Sequence, residues 1–166
     1  MEPVPTKTSA ATSATSSTKL GPSGQVPGEA PEATGDLAGE LKAAAGNYYA
    51  ALNRAYATGD DLPVRALITP TCLCVNSLNA IRGTREEGRK FQIQYEISSL
   101  RAYDLTKIKA GTGGVKLLYS IAKNTLTDKD GKVLENYNPV NNGIKDLTFE
   151  RQASGRWLLA EVFTTL

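Results

Sequence analysis

The first regular pattern of hydrophobic positions begins near residue 36 and has the period of an α-helix. Asp36 is predicted to cap the N-terminus of this helix, and Gly59 to end it as the residue after the last turn. One helical face carries the apolar side chains of Leu41, Ala45, Tyr48, Leu52 and Tyr56. The stripe therefore predicts a long helix with one face in the core.

Two shorter helices are predicted to follow. Asp60 or Asp61 caps the first of them, Pro63 lies in its first turn, and Pro70 ends it. A third helix is predicted over about residues 73–91. The inward-facing residues of both helices are predicted to be Val64, Leu67, Ile68, Leu78 and Ile81. The residues of the third helix predicted to face water are Arg82, Arg85, Arg89 and Lys90.

Beyond residue 92 the hydrophobic period falls to two, which is typical of strands. Ile93, Tyr95 and Ile97 alternate with polar residues, and the phase slips before Tyr103. This slip predicts a bulge or bend within one long strand. A second strand is predicted from the alternating residues Val115, Leu117, Tyr119 and Ile121.

The remaining pattern completes an antiparallel sheet. The sequence "TDKDGK" (127–132) predicts a hairpin turn at Gly131, and "NPVNNG" (138–143) predicts a loop. Further strands are predicted near 144–151 and 156–165. Three helices followed by a bent antiparallel sheet predict a single α+β domain over residues 36–166.

Residues 1–35 differ from this domain in composition. They are rich in Ser, Thr, Ala, Pro and Gly and contain no aromatic residue, so they cannot bury enough apolar surface to offset the entropy of ordering. We expect a disordered tether of the kind that holds a domain away from a membrane or wall. We also expect an exported protein whose signal peptide is absent from this sequence.

Composition narrows the possible chemistry. The 166 residues include no histidine, which removes the commonest metal ligand and general base. The net charge of +2 is too small to indicate nucleic-acid binding by itself. "KAGTGGVK" (109–116) lacks the order of a phosphate-binding loop, and "DKDG" (128–131) lacks the later ligands of a calcium loop, so both are interpreted as turns. We expect no cofactor and no metal.

The segment "YYAALNRAYATGDDLPVRALITPTC" (48–72) resembles an uncharacterised family of actinobacterial envelope lipoproteins with an NTF2-like (cystatin-like cone) domain. The resemblance covers about residues 36–166. It implies three helices packed on the concave face of a curved antiparallel sheet, and an extracytoplasmic protein anchored by lipid. The sequence departs from the family in two ways, since it has no lipobox cysteine and its second cysteine follows the first by two positions instead of three.

The two cysteines, Cys72 and Cys74, leave two interpretations open. On a regular helix, side chains at i and i+2 point about 200° apart and cannot form a bridge. A disulfide therefore requires an irregular turn, which Thr69-Pro70-Thr71 can provide, and an exported context favours one. The alternative is a pair of buried thiols that pack as small hydrophobic residues. Zinc binding and C-x-x-C redox chemistry do not fit the spacing.

The resemblance implies a pocket in the cone, where some relatives act as isomerases or cyclases through carboxylates and tyrosines. Glu161 would be a base there if it shared the inward face of Trp157, Leu159 and Phe163. The alternative, which we favour, is that Leu158, Ala160 and Val162 face inward and leave Glu161 in water. The other weak catalytic candidates are Asp104, Tyr48 and Tyr119, and the candidates for binding are Tyr49, Tyr95 and Trp157.

We therefore expect a non-catalytic, envelope-tethered binding or accessory domain, because no nucleophile–base pair, metal set or phosphate loop is evident. A phage-borne surface lipoprotein that blocks infection is a related hypothesis. The alternative function is a small-molecule isomerase or hydrolase acting in the cone pocket. The expected partner is an envelope protein or a small apolar ligand, with no nucleic acid, and membrane contact is expected only through the lipid anchor.

Overall fold

The computed structural model describes residues 36–103, 107, 110–122 and 124–165. The predicted tether (residues 1–35) and the catalytic candidate Asp104 lie outside the described residues.

Three helices come first in this part of the chain, as the hydrophobic pattern predicted: α1 (Leu37–Thr58), α2 (Leu62–Arg65) and α3 (Val75–Glu86). Gly59 ends α1 in the left-handed conformation (φ 83°), and its N–H donates to Ala55 O. None of the helices described is both long enough and apolar enough to cross a membrane.

The described residues then form seven strands in two antiparallel sheets: β1 (Lys90–Ile93), β2 (Glu96–Tyr103), β3 (Thr112–Ile121), β4 (Asn124–Thr127), β5 (Val133–Asn136), β6 (Val140–Arg151) and β7 (Trp157–Thr165). The larger sheet has the order β2-β3-β6-β7 and the smaller one β1-β4-β5. The predicted α+β architecture, with helices first and a bent antiparallel sheet after them, is confirmed.

The core lies between α1 and the larger sheet. The predicted stripe of α1 is buried at Leu41, Ala45, Tyr48 and Leu52, and Tyr56 is partly buried. The sheet contributes alternating residues that are buried on the same face: Val115, Leu117, Tyr119, Leu147 and Phe149. Ile68, after α2, forms a parallel bridge with Leu159 and so attaches the helical segment to β7. These contacts fix the position of α1 above the sheet.

Three predicted boundaries were wrong. The expected long strand is interrupted at Gln94 and Tyr95, so β1 and β2 belong to different sheets. The third helix is shorter than 73–91, because residues before Val75 form the turn that contains both cysteines and β1 already begins at Lys90. The predicted loop at 138–143 is partly strand, since β6 begins at Val140.

Two of the arginines predicted to face water also connect the helices, although Arg82 is exposed as predicted and Arg85 is partly buried. Arg82 donates to Asp61 Oδ1 (2.7 Å), and Arg65 donates to Asp61 Oδ2 (2.7 Å). Arg85 donates to the carbonyl oxygens of Tyr56 and Ala57 at the end of α1. Asp61 itself is 3% exposed, so its carboxylate is a buried anion held by two guanidinium groups.

Candidate functional site

A cavity of about 630 Å³ opens between α1, the turn before α3 and the β6–β7 edge of the larger sheet. Its wall is formed in part by Tyr48, Tyr49, Leu52, Tyr56, Tyr95, Lys145 and Cys74. Small-molecule sites commonly enclose about 300–1,000 Å³, so the cavity has the size of a ligand site.

Tyr95 reaches the cavity because α1 holds its backbone at the break between the two sheets. Its N–H donates to Asn53 Oδ1 (2.8 Å), and its carbonyl accepts a hydrogen bond from Asn53 Nδ2 (2.9 Å). Tyr95 lies between β1 and β2, where its N–H and carbonyl have no partner on a neighbouring strand. The side-chain amide of Asn53 supplies one hydrogen-bond partner to each of them. The ring of Tyr95 then packs 5.1 Å from the ring of Tyr49 and 5.3 Å from that of Tyr119, centroid to centroid.

Lys145 is the functional candidate that the sequence analysis missed. Its Nζ lies 5.9, 4.8 and 5.1 Å from the ring centroids of Tyr49, Tyr95 and Tyr119, and it donates to Tyr95 Oη at 3.4 Å. Among the described residues, no carboxylate lies within ion-pair distance of this ammonium group. A sequence signal existed, because Lys145 has the strand parity of the core residues Leu147 and Phe149.

Burial sets the electrostatics of this tyrosine cage, which we define as Tyr49, Tyr95 and Tyr119 around Lys145. Desolvation raises the pKa of all three phenols above their ordinary value, and for Tyr49 and Tyr95 the neighbouring tyrosines add to the effect. Desolvation lowers the pKa of the Lys145 amine. Burial therefore keeps these phenols protonated and disfavours the charged form of the lysine.

Glu161 is exposed, as in the alternative that we favoured. The cause is a bulge in β7 and not the inward phase of Leu158, Ala160 and Val162. A bulge at Ala160 interrupts the pairing of β6 with β7, because Thr148 pairs with Glu161 while Phe149 pairs with Leu159. Leu159 and Ala160 are both buried, so neither of the two predicted phases holds along the whole strand. The second carboxylate that borders the cavity, Glu150, is also exposed.

The other predicted site residues divide between the cavity and the core. Tyr48, Tyr49 and Tyr95 line the cavity, and Tyr119 lies behind Lys145 in the cage. Trp157 is buried but is not part of the cavity wall, and the guanidinium carbon of Arg151 lies 5.8 Å from its ring centroid.

No family model matches the sequence, and no curated protein matches it either. Among solved structures, the chain is similar to the intermembrane space region of the chloroplast protein ARC6, with 11% identity over 76% of this chain and 95% of that one and a TM-score of 0.52. At this identity the likeness shows a shared fold alone.

Two further solved structures match at lower scores. A ketosteroid isomerase-like protein from Erwinia carotovora atroseptica has 22% identity, covers 78% of this chain and 95% of its own, and gives a TM-score of 0.49. An NTF2-like protein with a cystatin-like fold from Novosphingobium aromaticivorans has 11% identity, covers 77% and 80%, and gives 0.41. TM-scores below 0.5 carry no argument about the site.

One of the two cysteines lines the cavity. Cys72 and Cys74 are joined by a disulfide within the irregular turn between α2 and α3. Cys72 is buried and Cys74 lines the cavity, while Leu73 between them is 80% exposed. The bridge therefore directs Leu73 outward at the rim, where Phe163 is also 57% exposed.

Groups of three or more His, Cys, Asp or Glu side chains that could hold a metal ion are absent from the residues described.

Proposed function

We propose that residues 36–166 form an NTF2-like, non-catalytic binding domain whose cavity takes a small, largely apolar ligand. The observation that carries this proposal is the cavity wall, which combines the rings of Tyr48, Tyr49, Tyr56 and Tyr95 with the side chain of Leu52. Aromatic rings offer an apolar face together with a hydroxyl that can orient a polar group of the ligand.

The position of the carboxylates favours binding over isomerase chemistry. A general base that removes a carbon-bound proton is normally desolvated and held against its substrate. Glu150 and Glu161 are both exposed at the outer border of the cavity. In the part of the chain that the structure describes, no carboxylate is buried in the cavity wall.

The residues at the rim of the cavity favour an apolar ligand over a strongly polar one. Leu73 and Phe163 are exposed and both border the cavity. Exposed apolar residues beside a pocket often mark the place where a ligand or partner covers the surface. A ligand longer than the cavity would extend across these two side chains.

We also propose that the domain works outside the cytoplasm, tethered to the cell envelope. Disulfides persist in oxidising compartments, so the Cys72–Cys74 bridge supports this location. An envelope protein that contacts the exposed rim is the proposed macromolecular partner.

A neutral apolar dye, N-phenylnaphthylamine, tests the binding function because its fluorescence rises on entry into an apolar site. Ser77 lies on α3 and lines the cavity, and the exposed Asn76 beside it does not. We expect Ser77→Trp to abolish dye binding and the matched control Asn76→Trp to retain it. Equal binding by both variants, or no binding by the unmodified protein, would overturn the proposal.

A further inference from the structure

The described part of the chain places a single lysine in the cavity wall. Lys145 lines the cavity, and its Nζ donates to Tyr95 Oη at 3.4 Å and is surrounded by the three rings of the tyrosine cage. These contacts favour a defined position for the amine beside Tyr95 before any ligand arrives.

We infer that Lys145 is a reactive amine that forms an imine with aldehyde or ketone ligands in the cavity. This inference rests on the proposed binding function, because the carbonyl compound must first occupy the cavity. The ligand class is a small apolar compound whose carbonyl group reaches the inner end of the cavity beside Tyr95.

The surroundings of Lys145 favour this chemistry. A lysine becomes nucleophilic when desolvation populates its neutral form. Burial does lower the pKa of Lys145, and no described carboxylate pairs with the amine to hold it as an ammonium ion. By contrast, Lys116 on the neighbouring strand is 54% exposed and its Nζ lies 3.5 Å from Asp146 Oδ1.

The proposed step balances without an oxidant or reductant. The lone pair of Lys145 Nζ adds to the carbonyl carbon, and the carbonyl oxygen takes up a proton as the nitrogen loses one. The carbinolamine then loses its hydroxyl group as water while the nitrogen lone pair forms the C=N bond. The neutral Tyr95 hydroxyl accepts a hydrogen bond from Lys145 Nζ, so it can relay protons: it donates its own proton to the substrate oxygen as it takes one from nitrogen, first at the carbonyl oxygen and then at the departing hydroxyl group.

Labelling of the full chain with naphthaldehyde and cyanoborohydride tests the inference, because reduction converts an imine into a stable secondary amine. Peptide mass mapping then gives the rate at each lysine. We expect Lys145 to be modified at least about ten-fold faster than Lys116, because the cavity holds the aldehyde beside Lys145 Nζ and so raises its effective concentration there. Lys145→Arg should remove that labelling, and Tyr95→Phe should slow it at least about ten-fold.

A competition experiment with naphthylmethanol, which has no carbonyl group, tests ligand binding independently of imine formation. If this alcohol displaces N-phenylnaphthylamine from the unmodified protein but Lys145 is labelled no faster than Lys116, the imine inference is overturned and the binding function stands. If neither naphthalene compound enters the cavity, both proposals are overturned.

Discussion

Asn53 and Tyr95 are 42 residues apart and exchange two hydrogen bonds, one in each direction between a side-chain amide and a backbone peptide. The pair joins the C-terminal part of α1 to the point where the chain passes from the smaller sheet to the larger one. It satisfies the two backbone groups that this break leaves unpaired, and it places the Tyr95 ring beside Lys145.

Replacing Asn53 with Ala should therefore affect both stability and the cavity. The Tyr95 N–H and carbonyl would lose their partners, and we expect the free energy of unfolding to fall by about 2 kcal/mol. Affinity for N-phenylnaphthylamine should fall as well, because the Tyr95 ring is no longer fixed. Urea unfolding and dye titration measure the two effects.

Asn76→Ala is the matched control, because Asn76 is exposed on α3 and its side chain has no hydrogen bond among the described residues. It should change stability by less than about 0.5 kcal/mol. A similar loss in both variants would show that the Asn53–Tyr95 pair does not stabilise the fold.

Gly143 should not tolerate a side chain. It pairs with Tyr119 across β3 and β6, and an added Cβ would lie 2.6 Å from the Tyr119 ring. We expect Gly143→Ala to displace this ring from the cage and to lower the free energy of unfolding by about 1–3 kcal/mol. Thermal unfolding and the rate of Lys145 labelling measure the result.

A Gly→Ala substitution in α1 should have the opposite effect on stability. At Gly46 an added Cβ would have only an ordinary contact, 3.9 Å from Leu100 Cδ1. Ala also favours a helix over Gly, so Gly46→Ala should stabilise the protein by about 1 kcal/mol. Equal and small effects of the two substitutions would contradict the close packing of Tyr119 on Gly143.

The ion pairs of Asp61 should make stability depend on pH. Burial alone would raise the pKa of Asp61, but the hydrogen bonds from Arg82 and Arg65 outweigh it and hold this pKa below its ordinary value. The folded state therefore binds fewer protons than the unfolded state near pH 4, and the stabilisation is lost as the pH falls below about 4.

Asp61→Asn tests this linkage. At pH 7 we expect a loss of about 2 kcal/mol, discounted for the partial exposure of both arginines, and the difference from the unmodified protein should shrink on acidification. Asp60→Asn is the control, because an amide oxygen can still accept the hydrogen bond from Leu62 N–H. If Asp61→Asn lowers the free energy of unfolding by the same amount at pH 7 and pH 3, the ion pairs of Asp61 are not the source of the pH dependence.

The Cys72–Cys74 bridge should contribute little through chain entropy. It closes a very short loop, so the loop-entropy model gives it less than the roughly 3 kcal/mol of a 15-residue loop. Replacing both cysteines with Ala should cost about 1–2 kcal/mol, mainly through the lost packing of buried Cys72, and leave the fold intact.

Thiol titration checks the state of the bridge directly. The native protein should show no reactive thiol until it is reduced, and two thiols after reduction and unfolding. Rapid labelling of two thiols in the native protein would instead indicate an exposed pair and restore a redox or intermolecular role.

The local sequence pattern was enough to predict those helices and strands whose hydrophobic period does not depend on which residues they pack against. The stripe of α1 and the alternation of β3 each follow from one face being buried, whatever buries it, and both were predicted correctly. The left-handed end of α1 at Gly59 follows in the same way from the residue type.

Tertiary structure decided the register of β7 and the content of the site. The Ala160 bulge exists only in the pairing of β7 with β6, so a constant two-residue period could not show which side chains face inward. Tyr49, Tyr95, Tyr119 and Lys145 come from four separate segments of the chain. Their approach depends on where α1 crosses the sheet and on the break that Asn53 holds. Neither is encoded in a local period, because both arise from contacts between residues far apart in the sequence.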